Sequence, residues 1–107
     1  MEMIKVYEPS SKEFKKLEFA CAVFNENGFE CYVKDTWFDY GQKWDYTAIL
    51  CKSDWGVYQF LNPNEYLEII KSDFEDLKTR CQMILNKKHK MWFIKKGTLK
   101  VPFYYIY

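Results

Sequence analysis

The sequence predicts an α+β fold, one mostly antiparallel sheet with helices packed on one face. Three observations point there. Short runs of period-two alternation are closed by turn residues. Apolar stripes at helical spacing follow capping signatures. The segments run β-α-β-β-β-α-α-β-β, so three consecutive strands stand between helical segments. A chain of 107 residues fits a single domain, 1–107.

The elements follow in order. Residues 3–8 (MIKVYE) alternate and read as an edge or near-edge strand that Pro9 ends. Ser10 and Glu13 form a capping box, and the helix behind it buries Phe14, Leu17, Ala20, Cys21 and Phe24. Asn27-Gly28 stops that helix, the glycine being suited to a left-handed cap. Residues 29–37 alternate as a strand, with Phe29, Cys31 and Val33 on one face. Asp39-Tyr40-Gly41-Gln42 is a turn, 44–51 the next strand, Lys52-Ser53-Asp54-Trp55-Gly56 a second turn and 57–61 a third strand, together a meander. Asn62, Pro63 and Glu65 start a short helix to Lys71 as N-cap, first helical residue and box partner. Ser72 and Glu75 cap another helix, with the stripe Phe74, Leu77, Cys81 and Ile84. Two strand-like runs, 91–95 and 99–106, close the chain around Gly97.

Composition narrows the function classes. Nine Phe, nine Tyr and four Trp exceed what so small a core encloses, so some lie at the surface, where aromatics favour contact with partners. Net charge is +1, but it is unevenly spread. Residues 1–69 carry seven Lys against twelve acids, a net of −5. Residues 70–107 carry eight Lys and Arg80 against three acids, a net of +6. Cysteines at 21, 31, 51 and 81 form no C-x-x-C pair; the neighbours of at least three place them in apolar stripes, so buried free thiols are expected. The N-terminal residues enter a strand-like segment directly, with Glu2 and Lys5 in it, so no signal peptide is expected. The longest apolar run outside the strands, 19–24, is too short to span a bilayer. A cytoplasmic protein without membrane contact is the expectation.

Two stretches are candidate binding faces. The first surrounds one turn: Trp37, Tyr40, Trp44 and Tyr46, with Phe38 beside them and Asp35, Asp39 and Asp45 interspersed. It reads as a protein-binding tip with aromatic anchors and an acidic rim, matched to a partner rich in Lys and Arg. The competing reading is a ladder of cross-strand aromatic pairs that covers the edge of the core. The second runs from Lys87 to Tyr107 without an acid. Lys87, Lys88, Lys90, Lys95, Lys96 and Lys100 interleave there with Trp92, Phe93 and tyrosines, a pattern that suits phosphates and stacked bases. The competing reading is helix-dipole complementation and solvated turn lysines. With Arg80 the only arginine, the bidentate fork favoured for base reading is nearly absent.

No enzyme activity, cofactor or metal is expected. His89 is the sole histidine and lies between lysines. No cysteine spacing resembles a zinc site, and the three Asp lack the spacing of a calcium loop. The four glycines, at 28, 41, 56 and 97, stand singly and cannot cradle a phosphate.

Lys outnumbers Arg fifteen to one, and Phe, Tyr, Ile and Asn are frequent, as in AT-rich bacterial genomes and their phages. In this style the chain resembles the small accessory proteins of phages and mobile elements, anti-CRISPR inhibitors of host defence among them. The resemblance implies a non-enzymatic module that binds a host enzyme or nucleoprotein complex. The rival expectation is a nucleic-acid-binding accessory protein that uses the basic C-terminal hairpin. Either could be monomeric, or homodimeric through paired strands or the oppositely charged halves.

Overall fold

The computed structural model describes residues 3–39, 41 and 43–96, with the backbone alone at 38 and 89–96. It is an α+β fold of three helices and one three-stranded antiparallel sheet. The elements are α1 (Lys12–Glu26), β1 (Cys31–Asp39), β2 (Lys43–Ser53), β3 (Gly56–Gln59), α2 (Pro63–Lys71) and α3 (Phe74–Lys96), and the sheet order is β1-β2-β3.

The N-terminal segment is not a ladder strand. It does lie along β2, where the Thr47 N–H donates to the Lys5 carbonyl at 3.0 Å. Two residues on, the Tyr7 N–H donates to Thr47 Oγ1 rather than to a backbone carbonyl, so the ladder never propagates. The alternation at 3–8 reflects burial of Ile4 and Tyr7, not strand pairing.

α1 starts one residue later than the sequence suggests. Ser11, not Ser10, is the N-cap, and its hydroxyl accepts from the Phe14 N–H at 3.1 Å. The helix ends in a Schellman motif. The Phe29 N–H reaches the Phe24 carbonyl and the Gly28 N–H the Asn25 carbonyl, both at 3.2 Å, with Gly28 at φ +96°. Phe24 and Phe29 then both pack on Phe60, with ring centroids 4.7 and 4.9 Å away. Phe14 is only half-buried, and Lys16 joins the buried face instead. Its ammonium donates at 2.8 Å to the Ile70 carbonyl, one of the last carbonyls of α2, which have no partner within the helix.

β1 and β2 pair from Cys31↔Cys51 to Asp39↔Lys43. The turn expected at 39–42 falls between the last pair, with Gly41 at φ +81°. β2 is buried on both faces from Tyr46 to Cys51, as befits the central strand. β3 is shorter than expected and wholly exposed.

α2 starts as its sequence dictates. Asn62 Oδ1 accepts from the Glu65 N–H at 2.8 Å, Glu65 Oε1 accepts from the Asn62 N–H at 3.0 Å, and Pro63 is the first helical residue. Ser72 does not cap α3. It closes α2, with its hydroxyl and N–H both donating to the Glu68 carbonyl. Leu77, Cys81, Ile84 and Leu85 of α3 are buried, while Phe74 is exposed.

The strand expected at 91–95 is helix. No Gly or Pro interrupts residues 64–96, so helical propagation carries α3 through the apolar run to Lys96. The strand expected at 99–106 lies outside the described residues.

Candidate protein-binding face

Strand alternation divides the first aromatic stretch between two faces of the β1–β2 ribbon. Trp37 is the Cα partner of Asp45, Asp39 of Lys43 and Asp35 of Thr47, so these share one face. Trp44 and Tyr46 alternate onto the other.

On the first face Trp37 is 48% exposed. Lys43 Nζ stands 4.4 Å from its ring centroid, a cation–π contact that holds the indole. The Trp37 carbonyl accepts from Gln59 Nε2 at 2.8 Å. Asp39 and Asp45 are exposed around it. Asp35 plays a different part: its Oδ1 accepts from Thr47 Oγ1 at 2.7 Å, so it braces the sheet.

On the second face Tyr46 turns into the core, and its strand partner is Thr36, not an aromatic. The ring is buried, meets Tyr66 edge-on at 5.3 Å, and donates its hydroxyl proton to Gln59 Oε1 at 2.8 Å. Burial pushes its pKa up to about 12. Tyr46 is therefore core, not contact surface. Trp44 is half-buried, and its indole N–H is buried without an acceptor among the described residues. Tyr40 lies outside the described residues.

The most exposed aromatic among the described residues falls elsewhere. Trp55 is 97% exposed at the tip of the β2–β3 hairpin. Ser53 fixes that tip, since its hydroxyl accepts from the Trp55 N–H at 3.2 Å and donates to the Gly56 carbonyl at 3.0 Å. A sequence signal existed. Tight turns favour Gly, Asn, Asp, Ser and Pro, and a Trp between Asp54 and Gly56 has no strand neighbour to cover it.

The basic stretch is partly spent inside the fold. Lys88 Nζ lies 3.3 Å from Glu65 Oε1 and 5.1 Å from the Phe60 ring centroid. Glu65 is buried and already occupied in capping α2. Lys88 is thus a clamp between α3 and α2, not a phosphate contact. Lys87 stays exposed, 4.0 Å from Glu65 Oε2. Lys90, Trp92, Lys95 and Lys96 belong to the backbone of α3 rather than to a hairpin. Their side chains, and Lys100 altogether, lie outside what the structure describes.

All four cysteines are free and buried. Burial is the largest cause pushing the thiols up, to about 12 at Cys21 and about 11 at Cys81; at Cys21 neighbouring thiols and Glu18 add to it. Cys31 is raised too, by burial and then by Cys51, its cross-strand partner. These groups are protonated at neutral pH and poor nucleophiles. No group of three or more His, Cys, Asp or Glu among the described residues is placed to hold a metal ion. An open groove of about 630 Å³ runs past Asn25, Phe29, Glu30, Cys31, Tyr32 and Lys52. Two of its polar side chains are engaged: Asn25 bonds the Cys31 backbone, and Lys52 Nζ lies 5.9 Å from the Tyr32 ring centroid. No helix among the described residues is long and apolar enough to cross a membrane.

Comparison of the chain with protein-family models, with curated proteins and with solved structures finds no match.

Proposed function

We propose that this is a non-enzymatic protein-binding module whose contact face is the end of the β1–β2 hairpin, with Trp37 as anchor. The observation that carries the reading is Trp37 itself: a large ring, half exposed, steadied by Lys43 and by the Gln59 bond to its carbonyl, beside the exposed carboxylates of Asp39 and Asp45. A steadied aromatic loses little freedom on binding, and a surrounding acidic rim steers basic partners. The protonated thiols and the engaged side chains of the groove lend no support to catalysis. In its finer form the module is an inhibitor of the kind phages carry, occluding a host enzyme or nucleoprotein complex from the cytoplasm of a low-GC bacterium.

The test is affinity capture from such a lysate with the wild-type chain and with Trp37→Ala/Asp45→Lys, each with and without nuclease. Retention of one protein by the wild type in both conditions, and its loss with the variant, is expected. Equal retention by both chains moves the contact face away from Trp37. Loss of every partner on nuclease treatment replaces protein binding with nucleic-acid binding.

A further inference from the structure

The four free thiols are not equivalent. Cys31 and Cys51 are Cα partners across the β1–β2 ladder. One step beyond them, the Lys52 N–H donates to the Glu30 carbonyl at 3.0 Å. Bonded and non-bonded pairs alternate along an antiparallel ladder, so Cys31 and Cys51 form a non-bonded pair, the closer kind, with Cα atoms about 4.5 Å apart. The Asn25 carboxamide agrees with this. It accepts from the Cys31 N–H at 2.6 Å and donates to the Cys31 carbonyl at 3.1 Å, so both groups point away from β2. Directly opposed residues of a ladder share one face, and the Cys51 thiol lies within side-chain hydrogen-bonding reach of the Cys31 thiol. A disulfide needs Cα atoms roughly 4.4–6.8 Å apart and Cβ vectors that do not diverge. A non-bonded cross-strand pair meets both conditions.

Access differs as well. Of the four cysteines, only Cys31 lines the open groove of about 630 Å³ at the base of the hairpin. Cys51 lies one strand further in. Its thiol donates to the Lys52 carbonyl at 3.5 Å, and on its other side its β3 partner Tyr58 brings a hydroxyl within hydrogen-bonding reach. Entry to the pair is therefore through Cys31. Cys21 and Cys81 belong to α1 and α3 and sit in the core. Cys21 is near Cys81 and Cys51, but no ladder holds it opposite either.

We infer that Cys31 and Cys51 are a reversible dithiol–disulfide pair, oxidised by a small-molecule disulfide that enters through this groove. The Cys31 sulfur, as thiolate, attacks one sulfur of the reagent. The S–S bond of the reagent breaks, and its other half leaves as a thiolate that takes up the proton Cys31 gave to solvent. The Cys51 sulfur, as thiolate, then attacks Cys31 Sγ in the mixed disulfide. The intrachain S–S bond forms, and the second half of the reagent leaves with the proton that Cys51 gave up. Two protein thiols lose two electrons, and one reagent disulfide is reduced to two thiols. Burial, the largest influence on Cys31, favours its protonated form, so the first attack is slow and the pair responds to sustained oxidation. The bond would close the loop from 31 to 51 at the open end of the β1–β2 hairpin, the end opposite Trp37. The inference stands apart from the proposed binding partner.

The test exposes the full chain to glutathione disulfide under native conditions at mildly alkaline pH, then alkylates the remaining thiols after denaturation. Free thiols are expected to fall from four to two. The intact chain should lose the mass of two hydrogen atoms, and peptide mapping should join Cys31 to Cys51. The linked chain should melt at least about 5 °C higher, because the closed loop restricts the unfolded chain. A dithiol reductant should reverse both changes. Cys51→Ser should stop the reaction at a glutathione adduct on Cys31, whereas Cys31→Ser should leave Cys51 unreacted. Cys81→Ala should still form the bond. The map of the wild-type chain decides the matter even where a variant fails to fold. Four alkylatable thiols after overnight exposure overturn the inference, as does a bond between two chains or one that includes Cys21 or Cys81. A Cys31–Cys51 bond that does not raise the melting temperature also overturns it, because the bond would then form only in a chain that has left the native register.

Discussion

Thr47 Oγ1 donates to Asp35 Oδ1 at 2.7 Å across the β1–β2 ladder. The same oxygen accepts from the Tyr7 N–H at 2.8 Å, and the Thr47 carbonyl accepts from the Tyr66 hydroxyl. One fully buried residue thereby ties the N-terminal segment, β1 and α2 to the central strand. Thr47→Val keeps the shape but strands the buried Tyr7 N–H, while the exposed Asp35 carboxylate turns to water. It should cost about 2–3 kcal/mol in urea unfolding, with Thr47→Ser under about half of that. A loss below about 0.5 kcal/mol for the valine would mean that water replaces the hydroxyl.

The Lys88–Glu65 pair should matter more than its neighbour. Glu65→Ala removes the α2 capping box and leaves Lys88 over Phe60 without its counter-charge. An effect of about 2–3 kcal/mol is expected, because one partner is buried while the other is part-solvated. Lys87→Ala, at an exposed side chain, should change stability by under about 0.5 kcal/mol. A double-mutant cycle of Glu65 with each lysine separates them, and equal coupling energies would refute the distinction.

These two sites show what was legible in the sequence and what was not. The start of α2 could be read because Asn62, Pro63 and Glu65 act within four residues of one another. The meander could be read because alternation and turn residues are equally local. Tertiary partners decided the rest. The 3–8 segment alternates like a strand, yet its second bond goes to the Thr47 hydroxyl, which no local pattern announces. Residues 91–95 have strand composition but follow an uninterrupted helix, and propagation wins. Of the aromatic tip, Asp35 braces Thr47 instead of facing a partner, and Tyr46 enters the core because period-two geometry sends it to the face opposite Trp37. Trp55 is marked by its place in a tight turn, where no strand neighbour covers it.

Alkaline pH should destabilise the fold. Burial raises Tyr46 from 10.0 to about 12, Cys21 from 9.0 to about 12 and Cys81 from 9.0 to about 11. Each folded group holds its proton where the unfolded one has lost it. The stability they contribute is complete below pH 9, starts to fall as the unfolded thiols ionise, and is lost as pH rises through the folded values. Melting temperature should be flat in this respect from pH 7 to 9 and fall steadily above. Cys21→Ala should flatten the onset near pH 9, and Tyr46→Phe the part that begins near pH 10. A melting temperature unchanged to pH 11 would show that these groups ionise freely in the native state.

Substitution at Trp37 should separate the proposed binding from folding. Its ring is half exposed and touches Lys43, so Trp37→Ala should leave stability within about 1 kcal/mol of the wild type. An interface anchor truncated to alanine commonly costs 2 kcal/mol or more, roughly a thirtyfold weaker Kd. Asp45→Asn should act differently. Removing a rim carboxylate should slow association and reduce the salt dependence of the on-rate, with little change in off-rate. Surface plasmon resonance against the captured partner, at two salt concentrations, reads both effects. If Trp37→Ala unfolds the chain, the indole is structural. If it binds like the wild type while Asp45→Asn changes nothing, the β1–β2 hairpin end is ordinary solvated surface and the contact face lies elsewhere.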